Sequence, residues 1–180
     1  MMIDSEEHVV LVNEMDEELG TMEKLEAHRR GELHRALSIF LFDDQGRVLL
    51  QKRADGKYHS AGLWTNTCCS HPRPDEMIVD AAHRRLMEEM RIATALEPQF
   101  SFIYRADVGE DMIEHELDHV FFGSWSGSPA PDPMEVADWK YVALEELEKE
   151  LSVHPDHFTA WLHFCWPQVK AVLDRDRKLK

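Results

Sequence analysis

The stretch Asp75-Glu76-Met77-Ile78-Val79-Asp80-Ala81-Ala82-His83-Arg84-Arg85-Leu86-Met87-Glu88-Glu89-Met90-Arg91-Ile92 decides the fold. It follows Pro74, and at about 100° per residue Ile78, Val79, Ala82, Leu86 and Met90 fall on one broad apolar stripe. It therefore reads as a helix, with Asp75 as its N-cap. Strands lie on both sides. Upstream, Leu37 to Phe42 and Arg47 to Gln51 flank Asp43-Asp44-Gln45-Gly46, two apolar runs about a glycine-ended turn that predict a hairpin. Further upstream, His8 to Val12 predicts a strand that runs into an acidic turn ending at Gly20. Glu23 to Arg30 reads as a short helix or a loop. The segment from Ala54 to Pro74 reads as a loop. Downstream, strands are predicted at Phe100 to Asp107, Met112 to Trp125 and Asp138 to Ala143, with a Gly/Ser/Pro-rich loop over 126–133. Leu144 to Leu151 reads as a short helix, and Asp156 to Asp174 as a longer one kinked or broken near Pro167. Strands, a helix, more strands and terminal helices give an α+β class, a mixed sheet with helices packed on it. No boundary divides the chain, so 1–180 reads as a single domain.

Composition narrows the function classes. The formal net charge is −15, spread along the whole chain, which at long range repels nucleic acid and anionic lipid. An anionic substrate then needs a locally basic pocket or bound cations. No run is apolar for long enough to span a bilayer, and Met1 to His8 carries no signal-peptide pattern, so the expected location is the cytoplasm. The three cysteines, two of them adjacent, make a poor disulfide framework and read as free thiols of a reducing compartment.

Three features carry chemistry. On the helix, Glu89 falls within the apolar stripe, Arg85 at its edge and Glu88 off to the side. A carboxylate there is costly unless it is paired, as with Arg85 across one turn, or binds a cation. In Met112-Ile113-Glu114-His115-Glu116-Leu117-Asp118, a strand would point Glu114, Glu116 and Asp118 to one face and Ile113, Leu117 and Phe121 to the other. Carboxylates two residues apart can converge on one metal ion, or can simply form a solvated face. In Trp64-Thr65-Asn66-Thr67-Cys68-Cys69-Ser70-His71-Pro72, an extended backbone would put Cys69 and His71 on one side, for metal binding, thiol activation or mere packing. Eleven histidines are many for this length. Three imidazoles with two carboxylates would suit Mn²⁺, Zn²⁺ or Fe²⁺ rather than Ca²⁺, although spacing alone does not select the three.

Taken together, Trp64-Thr65-Asn66 through Cys69-Ser70-His71-Pro72, the helix with Arg84-Arg85-Leu86 and Glu89, and Glu114-His115-Glu116 resemble type I isopentenyl diphosphate isomerase, a variant of the Nudix fold. The resemblance runs from about His8 to Trp161. It implies a Nudix-like α/β/α sandwich and interconversion of isopentenyl and dimethylallyl diphosphate in isoprenoid precursor biosynthesis, by a monomer or weak dimer. It places Cys69, rather than Cys68, at the catalytic cysteine and pairs it with Glu116. His28, His34, His71, Glu114 and Glu116 are similar to the ligands of the family's Mn²⁺ or Zn²⁺ site. Glu89 matches the carboxylate that holds Mg²⁺ against the diphosphate. Lys24, Arg53, Lys57 and Arg85 match diphosphate contacts, and Tyr104 and Trp161 match aromatic positions around the hydrocarbon end. The His28–His34 spacing is one residue shorter than in the family pattern. His115 stands where Asn is frequent, and Ala61 replaces a frequent proline.

An unactivated alkene is a poor base, so this reaction needs a strong acid and a dry pocket. Cys69 and Glu116 are the expected acid–base pair, with Trp161 able to stabilise a tertiary cation through its ring face. Two rivals share the scaffold. A Nudix hydrolase would need an acid where Arg85 stands and glycine in place of Arg91. A non-catalytic metal or diphosphate binder would bind without turnover.

Overall fold

The computed structural model describes residues 7–178, so most of the N-terminal segment read for a leader pattern lies outside the described residues. The elements are β1 (His8–Val12), β2 (Glu18–Glu23), α1 (Lys24–Arg30), β3 (His34–Phe42), β4 (Val48–Arg53), β5 (Trp64–Thr65) and β6 (Cys68–Ser70). There follow α2 (Ile78–Met90), β7 (Glu97–Gly109), β8 (Met112–Ser124), β9 (Val136–Val142), α3 (Leu144–Val153) and α4 (Ala160–Lys178).

The sheet is mixed and centres on β3. One edge of β3 pairs in parallel with β8, from His34↔Glu116 to Phe42↔Ser124, and β8 pairs antiparallel with the outer strand β7. The other edge is shared by β1 at its start, β6 in its middle and β4 at its end. Its continuous apolar run follows from burial on both faces. Leu37, Ile39 and Leu41 pack with Ala81, Ala82, Leu86 and Met90 of α2, whereas Phe40 joins Leu147 of α3 and Leu162, Trp166 and Val169 of α4. The result is the expected helix–sheet–helix sandwich. Among the described residues, no helix is long and apolar enough to cross a membrane.

Four local expectations are corrected. The acidic stretch before Gly20 continues into β2, which pairs with β1 as a polar outer strand without an apolar stripe to reveal it. The predicted hairpin pairs only at Phe42↔Val48. Beyond the turn β4 turns away to β9 and β5, because β8 and β6 already occupy β3. Helix α2 begins at Ile78 with Met77 as its N-cap, while Asp75 sits in a left-handed turn at φ 61°. Glu76 closes that turn, accepting from the Arg73 amide at 2.8 Å and from Arg84 Nε at 2.6 Å. Finally, α4 starts at Ala160, after a 3-10 turn at Pro155–His157, and runs unbroken through Pro167. Proline forfeits a single helical hydrogen bond there, and its exposed position is flanked by the buried anchors Cys165, Trp166 and Val169.

Candidate active site

The site forms where β3 begins, beside β8. Strand alternation aims Glu114, Glu116 and Asp118 to the same side, and all three are buried. Helix α1 delivers His28 and ends at Gly31, whose left-handed φ of 65° turns the chain back so that His34 can open β3. The backbone geometry favours glycine there, and a Cβ on Gly31 would stand a tight 3.2 Å from the Ile113 side chain of β8. His115 Nδ1 donates to the Gly31 carbonyl at 2.9 Å and ties this cap to β8. The short His28–His34 spacing is thus accommodated by a tight turn, and the two rings lie 4.8 Å apart.

These imidazoles are oriented from behind. His28 Nδ1 donates to the Lys24 carbonyl at 2.7 Å, and His34 Nδ1 to the Glu32 carbonyl at 2.8 Å. With the proton fixed on Nδ1, each Nε2 offers a lone pair inward. His34 Nε2 and His71 Nε2 approach to 3.3 Å, and Glu116 Oε1 lies 3.4 Å from the first and 2.7 Å from the second. His28 Nε2 is 3.5 Å from Glu114 Oε1 and has no hydrogen-bond partner among the described residues. Converging lone pairs in a buried pocket, with two carboxylates facing them, fit a divalent cation. His28, His34, His71 and Glu116 form one such group, and His28, His59 and Glu114 a second that shares His28. His59 was not singled out by the sequence, which offered nothing to distinguish it from the remaining histidines.

Charge within the cluster is uneven. Burial and the neighbouring Glu114 push the Glu116 carboxyl up to about 7. Burial also acts on Glu114, but the His28 and His59 imidazoles beside it outweigh it and hold that carboxyl well below its usual range. Burial lowers His34, His59 and, more strongly, His71, favouring the neutral rings that ligate metals. The Tyr104 hydroxyl lies 2.6 Å from Glu116 Oε2 and 3.2 Å from Glu114 Oε2. Its polar end serves the carboxylates, and Tyr104 is also among the residues lining the cavity.

The cysteine segment is more regular than the loop expected from sequence. Strand β6 pairs with β3, and alternation buries Cys68 against Leu37, Ile39 and Leu86 while Cys69 opens on the cavity with His71. The preceding residues lock it. Thr67 Oγ1 donates to the Leu49 carbonyl at 2.6 Å and accepts from the Leu41 amide at 2.9 Å. Asn66 Nδ2 donates to the Ile39 and Cys68 carbonyls, and its Oδ1 accepts from Trp161 Nε1 at 3.3 Å. Burial pushes the Cys69 thiol up to about 12. Arg53 opposes this and Glu89 adds to it. Cys69 is thus a protonated thiol at neutral pH.

Cys69, His71, Glu89, Glu114, Glu116, Lys24, Arg53, Lys57, Arg85, Tyr104 and Trp161 all line one cavity, with His28 and His34 packed behind its wall. Glu89, only 3% exposed, is paired on both oxygens, by Arg85 Nη2 at 2.6 Å and Gln51 Nε2 at 2.7 Å. The helix-turn ion pair weighed from the sequence is therefore present. Three of the four Lys and Arg side chains lining the cavity carry carboxylate partners. Lys24 meets Glu7 at 2.8 Å, Lys57 meets Glu135, and Arg85 also reaches Glu88 at 2.7 Å and Glu135 at 3.4 Å. Arg53 donates to the His59 carbonyl at 3.1 Å and lies over the Trp161 ring, 5.1 Å from its centroid. Glu135 and Gln51 were not foreseen, because neither stands in a motif.

Residues 32–162 match the family described as NUDIX domain. The chain is 54% identical over 172 residues to "Isopentenyl-diphosphate Delta-isomerase 1" of Aromatoleum aromaticum, covering 96% of this chain and 97% of that protein. It is 47% identical over 161 residues to "Isopentenyl-diphosphate Delta-isomerase" of Pectobacterium atrosepticum, covering 89% and 90%. Among solved structures, a Deinococcus radiodurans protein superposes with a TM-score of 0.70 at 20% identity, over 82% of this chain and 90% of that one. A MutT protein from Methanosarcina mazei gives 0.62, also at 20% identity, over 81% and 96%. At such identity these two structures speak for the fold alone.

Proposed function

The chain belongs to the isopentenyl-diphosphate Delta-isomerase family, built on the Nudix domain, and from that premise we propose how its cavity interconverts isopentenyl and dimethylallyl diphosphate. The observation that carries the reading is one cavity in which the Cys69 thiol and the Glu116 carboxyl face a space rimmed with Lys and Arg.

The reaction adds a proton to one carbon of a double bond and removes one from a carbon on its far side, consuming no net proton. It needs two proton-carrying groups on one substrate and no activated water. Cys69 Sγ and Glu116 are those groups, and Tyr104 holds Glu116 in place through its hydroxyl. Lys24, Arg53, Lys57 and Arg85 bind the diphosphate, with Lys24, Lys57 and Arg85 exchanging carboxylate partners for phosphate oxygens. Trp161, pinned by Asn66, closes the apolar end and keeps water from the developing cation. Its ring also packs beneath Arg53, so the face that contacts substrate is the one Arg53 leaves open.

His28, His34, His71, Glu114 and Glu116 would hold a Mn²⁺ or Zn²⁺ ion, and Glu89, together with the diphosphate, a Mg²⁺ ion. Bound there, the cations supply positive charge that acidifies and fixes Glu116 and neutralises the diphosphate against the chain's own negative charge. The free thiols suit a reducing compartment, so the enzyme works in the cytoplasm, as a monomer or weak dimer made of one domain over the whole chain.

The test is proton NMR of the protein with isopentenyl diphosphate, Mg²⁺ and diamagnetic Zn²⁺ in D₂O. The expected product is dimethylallyl diphosphate carrying deuterium. Phosphate or pyrophosphate release without that product would return the chain to the hydrolases of its fold.

A further inference from the structure

His59 belongs to no motif, yet its surroundings resemble those of the expected ligands. It lies in the connection between β4 and β5, is only 4% exposed, and directs Nε2 into the carboxylate cluster. That Nε2 stands 2.6 Å from Glu114 Oε1 but out of line for hydrogen bonding, so it is a buried polar atom without a hydrogen-bond partner among the described residues. Nδ1 lies 3.1 Å from Ser60 Oγ, a hydroxyl able to accept its proton and so leave the lone pair on Nε2. The ring is clamped on three sides. Tyr58 packs edge-on at 4.4 Å, Trp161 edge-on at 5.9 Å, and Arg53 holds the His59 carbonyl at 3.1 Å. The next residue, Ser60, adopts a left-handed φ of 52°, a costly conformation for a side chain of this type.

We propose that His59 is a further ligand of the histidine–carboxylate metal centre, completing a shell of four imidazoles and two carboxylates. The proposal rests on the metal-centre reading given above. Around an octahedral ion with bonds of about 2.1 Å, adjacent donor atoms stand about 3 Å apart. His59–Glu114 at 2.6 Å, His71–Glu116 at 2.7 Å, His34–His71 at 3.3 Å, His34–Glu116 at 3.4 Å and His28–Glu114 at 3.5 Å bracket that spacing. His28 belongs to both groups of donors and so links them, and an ion shared by all six would draw His59 and Glu114 closer to His34, His71 and Glu116. A hydrogen bond to Glu114 would explain His59 less well, since the short contact lacks donor geometry.

Two consequences follow. A six-donor protein shell leaves the ion no open position for substrate, so this centre fixes Glu116 while the diphosphate is bound elsewhere in the cavity. A fourth imidazole also makes the site more nitrogen-rich, which favours Zn²⁺ or Co²⁺ over Mn²⁺.

The experiment loads the full chain with Co²⁺ and records its paramagnetically shifted proton spectrum in H₂O and D₂O. Each ligating imidazole whose Nδ1 carries a proton contributes one far-shifted resonance that disappears in D₂O. Four such resonances are expected in the unaltered protein and three in His59→Gln, with Zn²⁺ affinity reduced at least about 100-fold, the upper range for loss of a mere orienting partner. Three resonances in the unaltered protein overturn the assignment of His59 even if the variant fails to fold. Four that persist in a folded His59→Gln overturn it equally. Failure of the unaltered protein to take up Co²⁺ at all would instead remove the metal-centre reading on which the proposal stands.

Discussion

Alkylation of Cys69 by iodoacetamide tests the electrostatics of the cavity directly. The thiol is pushed up to about 12 by burial, with Glu89 and Glu116 adding to the effect and Arg53 and Lys57 opposing it. An acid with a raised pKa stays neutral until the pH climbs through the raised value, so thiolate is scarce throughout the physiological range. At pH 8 an ordinary cysteine of pKa ~8.5 is roughly a quarter thiolate, whereas one at ~12 is about one part in 10⁴. That difference alone slows alkylation by more than three orders of magnitude. The more basic thiolate is also the better nucleophile. A Brønsted slope of about 0.4–0.5 over ~3.5 units returns roughly 1.5 orders. The expected net rate is therefore about 100-fold below that of a free thiol, before any hindrance from the cavity wall. Cys68 is adjacent, so the measurement belongs in a Cys68→Ser background and is read by mass spectrometry in chelator-treated protein from pH 7 to 10.5. The rate should rise close to tenfold per pH unit across this whole range. A plateau beginning near pH 8.5 or lower would show a solvated or activated thiolate, and the view of Cys69 as a proton-bearing thiol would fall.

Five substitutions extend the test to function. Cys69→Ala should lower kcat by at least about 10³-fold while diphosphate binding by calorimetry is retained, and Cys68→Ser, confined to the apolar cluster, should stay within severalfold of the parent; the reverse pattern would move the chemistry to Cys68. Glu116→Gln should cost about 10²-fold or more in kcat and also weaken binding of the first metal, seen by competition with a chromogenic chelator; loss of rate with metal affinity untouched would separate the two roles. Glu89→Gln breaks the pair with Arg85 and should raise the Mg²⁺ concentration for half-maximal rate about tenfold, with kcat at saturating Mg²⁺ little changed; an unshifted Mg²⁺ dependence would assign Glu89 to the ion pair alone. Glu135→Gln frees Lys57 and Arg85 from a competing carboxylate, so KM for the diphosphate should fall by a few-fold, the scale of a partly exposed ion pair; a higher KM would mean that Glu135 positions these cations.

Sequence was most legible where one physical constraint dominates a whole element. Strand β3 is apolar from Ala36 to Phe42 except at Ser38 because both faces are buried there, and β8 declares its alternation because Glu114, Glu116 and Asp118 share a face that turns away from Leu117 and Phe121. The stripe on α2 located Glu89 within it and Arg85 one turn away as a partner, whereas the second partner, Gln51, lies on another element and left no local signal. Strand β2 escaped because an outer strand with polar faces leaves no period-2 apolar signal. The start of α2 was misplaced for a related reason. Asp75 has the chemistry of an N-cap, but Glu76 is tied to Arg84 eight residues along, a contact that local propensity does not contain. Pro167 looked like a break because sequence reading weighs the lost hydrogen bond and not the tertiary anchors on either side.

The residues that went unseen, His59 and Glu135, share a property that no motif encodes. Each is placed by its neighbours in space rather than by its position in an element. Glu135 enters the cavity from the segment before β9, where Ala54 donates its amide to the Glu135 carbonyl at 3.0 Å and fixes the backbone opposite Lys57. His59 is turned inward by the packing of Tyr58 and Trp161 and by the hydrogen bond from Arg53, a residue itself assigned to the diphosphate. Arg53 therefore touches three parts of the site at once: the diphosphate end through its charge, the apolar end through Trp161, and the metal centre through His59. Arg53 Nη2 holds the His59 carbonyl, so a guanidinium drawn toward a bound diphosphate would pull on the loop carrying His59. Substitution of Arg53 should accordingly disturb the His59 resonance of the Co²⁺-loaded protein as well as KM. A purely local role as a phosphate contact predicts a change in KM alone.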